Sequence, residues 1–376
     1  MKRSDFLPTA RVSSSPLARA ACALYALLLL YSGLAPWEGW RDRGVDPLAY
    51  LTAPLPRYMT AFDLVVNVLA YLPLGALVVL AVYPHVRGLA AAMLGTVAGL
   101  LLACFVEAIQ TYLPTRVASN LDLLTNTLGA MAGAAFAARA AVALIDRGRL
   151  VELRRRWFER NAAGVLIAIA LWPLAQIYPE PMLFGNGDLR ATLEPWLVAL
   201  GGRWWQFKVE EFGPAEFLLA EAFVVAAAIL SAGLALSSVL RLGAPRYRLL
   251  VGLLAATLAA KSLANAVQFG PERALAWLTP GAFGGLSLGI LSLTAASGGT
   301  PAWQRRFALL AATALLVAVN TIPDNPYHLA QLQEWRQGRF LNFNALAGWV
   351  SMLWPLLLAA GLIENELSRS SSQRFL

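Results

Sequence analysis

Apolar runs of roughly 20 residues recur along the chain, separated by short polar segments. They fall at about 17–36, 62–83, 88–113, 121–145, 162–178, 214–240, 247–268, 274–296, 305–322 and 344–363. A helix rises about 1.5 Å per residue, so runs of this length suit a hydrocarbon core about 30 Å thick. In lipid each backbone polar group must be satisfied within its own segment, which selects helices. The pattern therefore predicts an all-α, polytopic integral membrane protein with ten transmembrane helices. The least regular run is 274–296, which Pro280 and Gly281 interrupt.

Composition agrees with this reading. The 376 residues are 58% hydrophobic and 14% charged, against about 25% charged in a soluble domain. With the N-terminus inside, 18 Lys and Arg fall in inside segments and 10 in outside loops. That is the bias the positive-inside rule requires, so both termini are expected inside. The net charge of +8 then follows from topology and does not argue for nucleic acid. The first run is long for a signal-peptide core and reads as a retained span. A multi-pass protein of the cytoplasmic (inner) membrane is expected, in contact with membrane lipids.

One basic segment divides the chain. Residues 146–160, DRGRLVELRRRWFER, suit an inside linker, with cations near anionic lipid and aromatics at the interface. A four-span domain over 1–145 and a six-span domain over 161–376 flank it. The longest outer loop, 179–213, is expected to carry an interfacial helix bearing Trp204 and Trp205.

Three of the first four spans carry polar pairs near their outer ends. Asp63 and Asn67 are four apart, Glu107 and Gln110 three apart, and Asp122 and Asn126 four apart. Each spacing puts the pair on one helix face. Ser119 and Asp122 also read as a helix-capping box, as do Thr60 and Asp63. Glu107 has no such explanation, and a carboxylate inside a span is by default functional or paired. Arg116 follows in the turn after the third span. Gly95-x-x-x-Gly99 and Gly129-x-x-x-Gly133 suit close helix approach.

The ordered string Asp63-x-x-x-Asn67, Tyr71-Leu-Pro-Leu-Gly75, Glu107-x-x-Gln110, Pro114-x-Arg116, Asp122-x-x-x-Asn126-x-x-Gly129-x-x-x-Gly133 resembles the VanZ-like family. The resemblance covers roughly residues 60–140. It implies a small multi-span domain of a family named for a protein linked to teicoplanin resistance, and no established catalytic mechanism.

A second polar cluster is expected in the C-terminal spans: Glu221, Lys261, Asn265 and Asn320. An ion pair between Glu221 and Lys261 is the favoured arrangement, because intramembrane charges usually pair. Other chemistry is sparse. His85 and His328 are the only histidines, and Cys22 and Cys104 the only cysteines. No zinc-type spacing, phosphate-binding loop or nucleophile elbow is present, so no metal or cofactor is expected.

The first cluster suggests an outward-facing pocket lined by Glu107, Gln110, Asp63, Asn67, Arg116, Asp122 and Asn126. Carboxylates and amides would meet amines, hydroxyls or cations, and Arg116 an anionic group. The expected ligand is an envelope lipid, a cell-wall precursor or a glycopeptide. One alternative is a membrane enzyme using carboxylate acid/base chemistry on a lipid-linked substrate. Another is a small-molecule transporter, which the scarcity of ionisable groups in the inner halves disfavours.

Overall fold

The computed structural model describes residues 16–35, 37, 39–55, 61–141, 149–190, 193, 198–199, 212–323 and 341–374. Among them are eleven α-helices: α1 (Pro16–Leu34), α2 (Ala61–Val82), α3 (Gly88–Gln110), α4 (Asn120–Ala141), α5 (Arg149–Trp157), α6 (Ala163–Ala175), α7 (Pro214–Ser238), α8 (Arg246–Phe269), α9 (Pro280–Ala296), α10 (Pro301–Thr321) and α11 (Leu341–Arg374). All but α5 lie on the ten apolar runs, and α5 lies in the basic segment 146–160. Six carry segments long and apolar enough to cross a membrane: α2, α3, α7, α8, α10 and α11. In α1, α6 and α9 the apolar segments are shorter. The polar residues Asn120, Asp122, Thr125 and Asn126 open α4. The chain is thus an all-helical, multi-pass membrane protein.

It divides into two compact units: Met1–Val151 with Arg339–Phe343, and Glu152–Gly338 with Asn344–Leu376. In the first, glycines let α2 and α4 meet backbone to backbone. A Cβ on Gly129 would overlap the Val68 carbonyl, and one on Gly133 the Leu72 carbonyl. From the other side, a Cβ on Gly75 would overlap Ala130. Helices in lipid gain little from apolar burial against each other, so this close packing is what holds them. It also brings the polar turns of α2 and α4 together.

The second unit is built around α7, whose residues are almost all buried from Val224 to Ser238. Trp172 of α6 stacks on Trp354 of α11, with ring centroids 5.5 Å apart, and meets Phe184 at 4.9 Å. The Trp354 indole donates to the Ala168 carbonyl at 2.8 Å, giving the buried ring the polar partner it needs.

Three expectations are corrected. The run at 274–296 is helical only from Pro280. Thr279 caps it, its hydroxyl accepting from the Ala282 N–H at 3.0 Å, and Pro280 takes the first turn, where its missing N–H costs nothing. The last helix extends to Arg374, well past 363. The start of the 179–213 segment is not a surface loop: Phe184 and Asn186 are fully buried. Trp204 and Trp205 lie outside the described residues.

Candidate functional site

Glu107 ends the inward face of α3, following the small residues Gly95, Gly99 and Ala103, and is 2% exposed. Its Oε2 accepts the Ser119 N–H at 2.8 Å. That bond ties α3 to the residue that starts α4. The Ser119 hydroxyl in turn accepts from Leu121 N–H at 3.2 Å and Asp122 N–H at 3.3 Å, so the N-cap reading of Ser119 holds. The expected capping box does not close, because the Ser119 N–H goes to Glu107 and not to Asp122. The Asp122 Oδ1 accepts from the Asn67 amide of α2 at 2.9 Å. Asp63 lies in the first turn of α2, and its side chain lies outside the described residues.

Glu107, Asp122 and Arg116 lie within electrostatic reach of one another, as do Tyr71 and Tyr50 with Glu107. Arg116 sits in the turn between α3 and α4. Burial pulls its guanidinium below the usual range, while Glu107 and Asp122 push it back up. Its Nε donates to the Ala35 carbonyl at 2.9 Å and a terminal nitrogen to the Ser32 carbonyl at 3.4 Å. These are carbonyls at the C-terminal end of α1, where a cation is favourable. Gln110 also serves α1, donating to the Gly33 carbonyl at 2.8 Å. Gln110 and Arg116 therefore brace α1 as well as bordering the cluster.

One turn below Asp122, Asn126 is 6% exposed. Its Oδ1 is buried without a hydrogen-bond partner among the described residues. Asn120 behaves similarly: its Nδ2 donates to the Ala53 carbonyl at 2.6 Å, while its Oδ1 is buried with no hydrogen-bond partner among the described residues. Sequence reasoning did not single out Asn120 or Tyr50. The only available signal for Asn120 was its place at the head of a polar turn.

In the second unit the expected Glu221–Lys261 ion pair does not form. Glu221 instead accepts from the Thr279 hydroxyl at 2.6 Å, at the positive end of α9. The counter-charge that Lys261 feels is Glu180, a residue placed by sequence in an outer loop. Glu180 belongs to a buried chain of bonds. Ser351 donates to its Oε1 at 2.6 Å, Asn186 donates to Ser351 Oγ at 2.7 Å, and Gln176 donates to Asn186 Oδ1 at 2.7 Å. A sequence signal for this inward fold was the apolar triplet Met182-Leu183-Phe184 directly after Glu180 and Pro181. Asn320 is elsewhere. It holds the segment after Asn186, donating to the Gly187 carbonyl at 2.8 Å and accepting from Leu189 N–H at 2.9 Å. Asn265 does border Lys261, and the two line one cavity.

The fold and this cluster define a helical, multi-pass membrane protein whose N-terminal helices are cross-linked by buried polar side chains. Residues 20–142 match the model of the VanZ/LLP1 family, so this part of the chain is a VanZ-like domain. The match spans about a third of the chain. Searches of curated proteins and of solved structures gave no match.

Proposed function

We propose that the VanZ-like domain holds the donor-bearing headgroup of an envelope molecule in a pocket open to the outer face of the cytoplasmic membrane. The candidate molecules are an envelope lipid, a cell-wall precursor or a glycopeptide. The observation that carries this reading is the buried, unpartnered Oδ1 of Asn126. An acceptor left unmatched in a dry site costs about 1–3 kcal/mol, which a ligand donor removes. The carboxylates of Glu107 and Asp122 add acceptors to the same cluster. Such a set favours ammonium and hydroxyl groups.

Binding without chemistry fits better than acid/base catalysis. Glu107 Oε2 is occupied by the Ser119 N–H and Asp122 Oδ1 by Asn67. Both carboxylates thus act as fixed acceptors. Replacing Glu107 by Gln and by Ala, in cells with matched protein levels, separates the two readings through glycopeptide susceptibility. Gln keeps an oxygen for Ser119 and retains the phenotype, whereas Ala loses it. Equal loss in both variants would support proton transfer and refute the binding reading. Uptake of labelled substrate into vesicles would establish transport instead.

A further inference from the structure

We propose that the second unit carries a separate ligand site, a cavity that takes a compact zwitterion: an ammonium joined through a few bonds to a carboxylate or phosphate. The cavity lies among α7, α8, the start of α9 and the buried segment after α6. Its volume is about 100 Å³, and its polar lining is Glu180, Glu221, Lys261, Asn265, Arg273 and Thr279. One water occupies roughly 10–15 Å³ by this measure, so the space suits several waters or one small headgroup.

Two observations point to a ligand. Lys261 is 3% exposed and feels Glu180 as its counter-charge, yet it makes no direct hydrogen bond to Glu180 or to any other described residue. Its ammonium has three donors to satisfy. One turn on, Asn265 is 8% exposed and its side chain likewise makes no hydrogen bond. Four residues apart on α8, the two share a face. Both line the cavity, so an acceptor that enters it can reach the ammonium and the amide.

The acceptors of the cavity are fixed in place. Ser351 occupies Oε1 of Glu180. Thr279 holds Oε2 of Glu221 against the first turn of α9. Gly281 leaves room for this, since a Cβ there would lie 2.9 Å from the Leu218 carbonyl. Each carboxylate has about four lone-pair positions, so both can accept from a further donor.

The charges decide the ligand class. Counted as ionised, Lys261 and Arg273 offset Glu180 and Glu221 in the formal charge of the lining. A purely anionic or cationic ligand would leave a net charge in a poorly solvated space. A zwitterion keeps the balance, its acidic oxygens toward Lys261 and Asn265 and its ammonium toward the carboxylates. The headgroup of a phosphatidylethanolamine and a free amino acid offer the same chemistry. This site stands independently of the reading given for the first unit.

The test uses the full chain in nanodiscs of phosphatidylcholine, whose quaternary nitrogen has no N–H to donate. Calorimetric titrations with glycerophosphoethanolamine, a phosphodiester with no net charge, and glycine are compared with ethanolamine, inorganic phosphate and glucose. A zwitterion should bind saturably and at least tenfold more tightly than the single-charge probes or the sugar. Lys261→Met, Glu221→Gln and Asn265→Leu should each weaken it at least tenfold, and if Lys261→Met fails to fold the other two decide. Stabilisation by phosphatidylethanolamine in the disc, with loss of glycerophosphoethanolamine binding, would assign the site to a lipid headgroup. Glycine binding unaffected by that lipid would assign it to a free amino acid. Absence of zwitterion binding to folded protein, equal affinity for ethanolamine, phosphate or glucose, or unchanged affinity in the folded variants would overturn the proposal.

Discussion

Gly133→Ala tests the contact that brings α2 and α4 together. Two effects oppose each other. Alanine is a better helix former than glycine by about 1 kcal/mol. Against that, the added methyl would overlap the Leu72 carbonyl, and a backbone group cannot rotate aside as a side chain can. Overpacking costs about 1–3 kcal/mol, and a backbone obstacle belongs at the upper end. The net expectation is about 2 kcal/mol of destabilisation, roughly a 30-fold change in the folded-to-unfolded ratio. For a unit of this size that lowers the melting temperature by about 4–8 °C. Separating the helices would also stretch the 2.9 Å bond from Asn67 to Asp122. Gly252→Ala is the control, since a Cβ at Gly252 would meet nothing within 4 Å, and it should be neutral or slightly stabilising. Both are read by thermal unfolding of the purified chain in detergent. A Gly133→Ala melting point at or above wild type would refute the described backbone approach.

Other substitutions probe separate parts of the structure. Ser119→Ala removes the α4 cap but leaves the backbone bond to Glu107, so melting should show a loss of about 1 kcal/mol with ligand retention unchanged. Ser351→Ala strips partners from both Glu180 and Asn186, and unfolding should reveal a loss of about 2–3 kcal/mol because one partner is a buried carboxylate. Arg305 is buried and bonded to the largely exposed Glu366 at 2.6 Å. Glu366→Gln should therefore cost about 1–2 kcal/mol, discounted for its exposure, while Arg305→Met is closer to neutral; matched denaturation of the two variants checks the order.

The helices were legible because a lipid core demands apolar runs of a definite length, and those runs are plain in the residues. Close packing of α4 was legible too, through glycines spaced four apart, though not that its partner would be α2. What periodicity could not supply is which neighbour a polar side chain meets. Spacing places Gln110 on the face of Glu107, but not the turn of that face toward Gly33 and α1. The tendency of intramembrane charges to pair suggested Glu221 with Lys261, yet it carries no information about their angle around the bundle. Lys261 therefore faces Glu180, and Thr279 takes Glu221. Glu180 itself was hidden because position between two spans suggests an outer loop, whereas Leu183 and Phe184 draw the segment into the core. Asn320 shares the polarity of that cluster without sharing its place.

Native mass spectrometry of the full chain, purified from membranes in mild detergent, tests the central claim most directly. Wild-type protein should retain a distinct envelope-lipid or precursor adduct, and Asn126→Leu should lose it while helix content and melting stay close to wild type. An identical adduct pattern in the two proteins would contradict a headgroup held by the Asn126 oxygen.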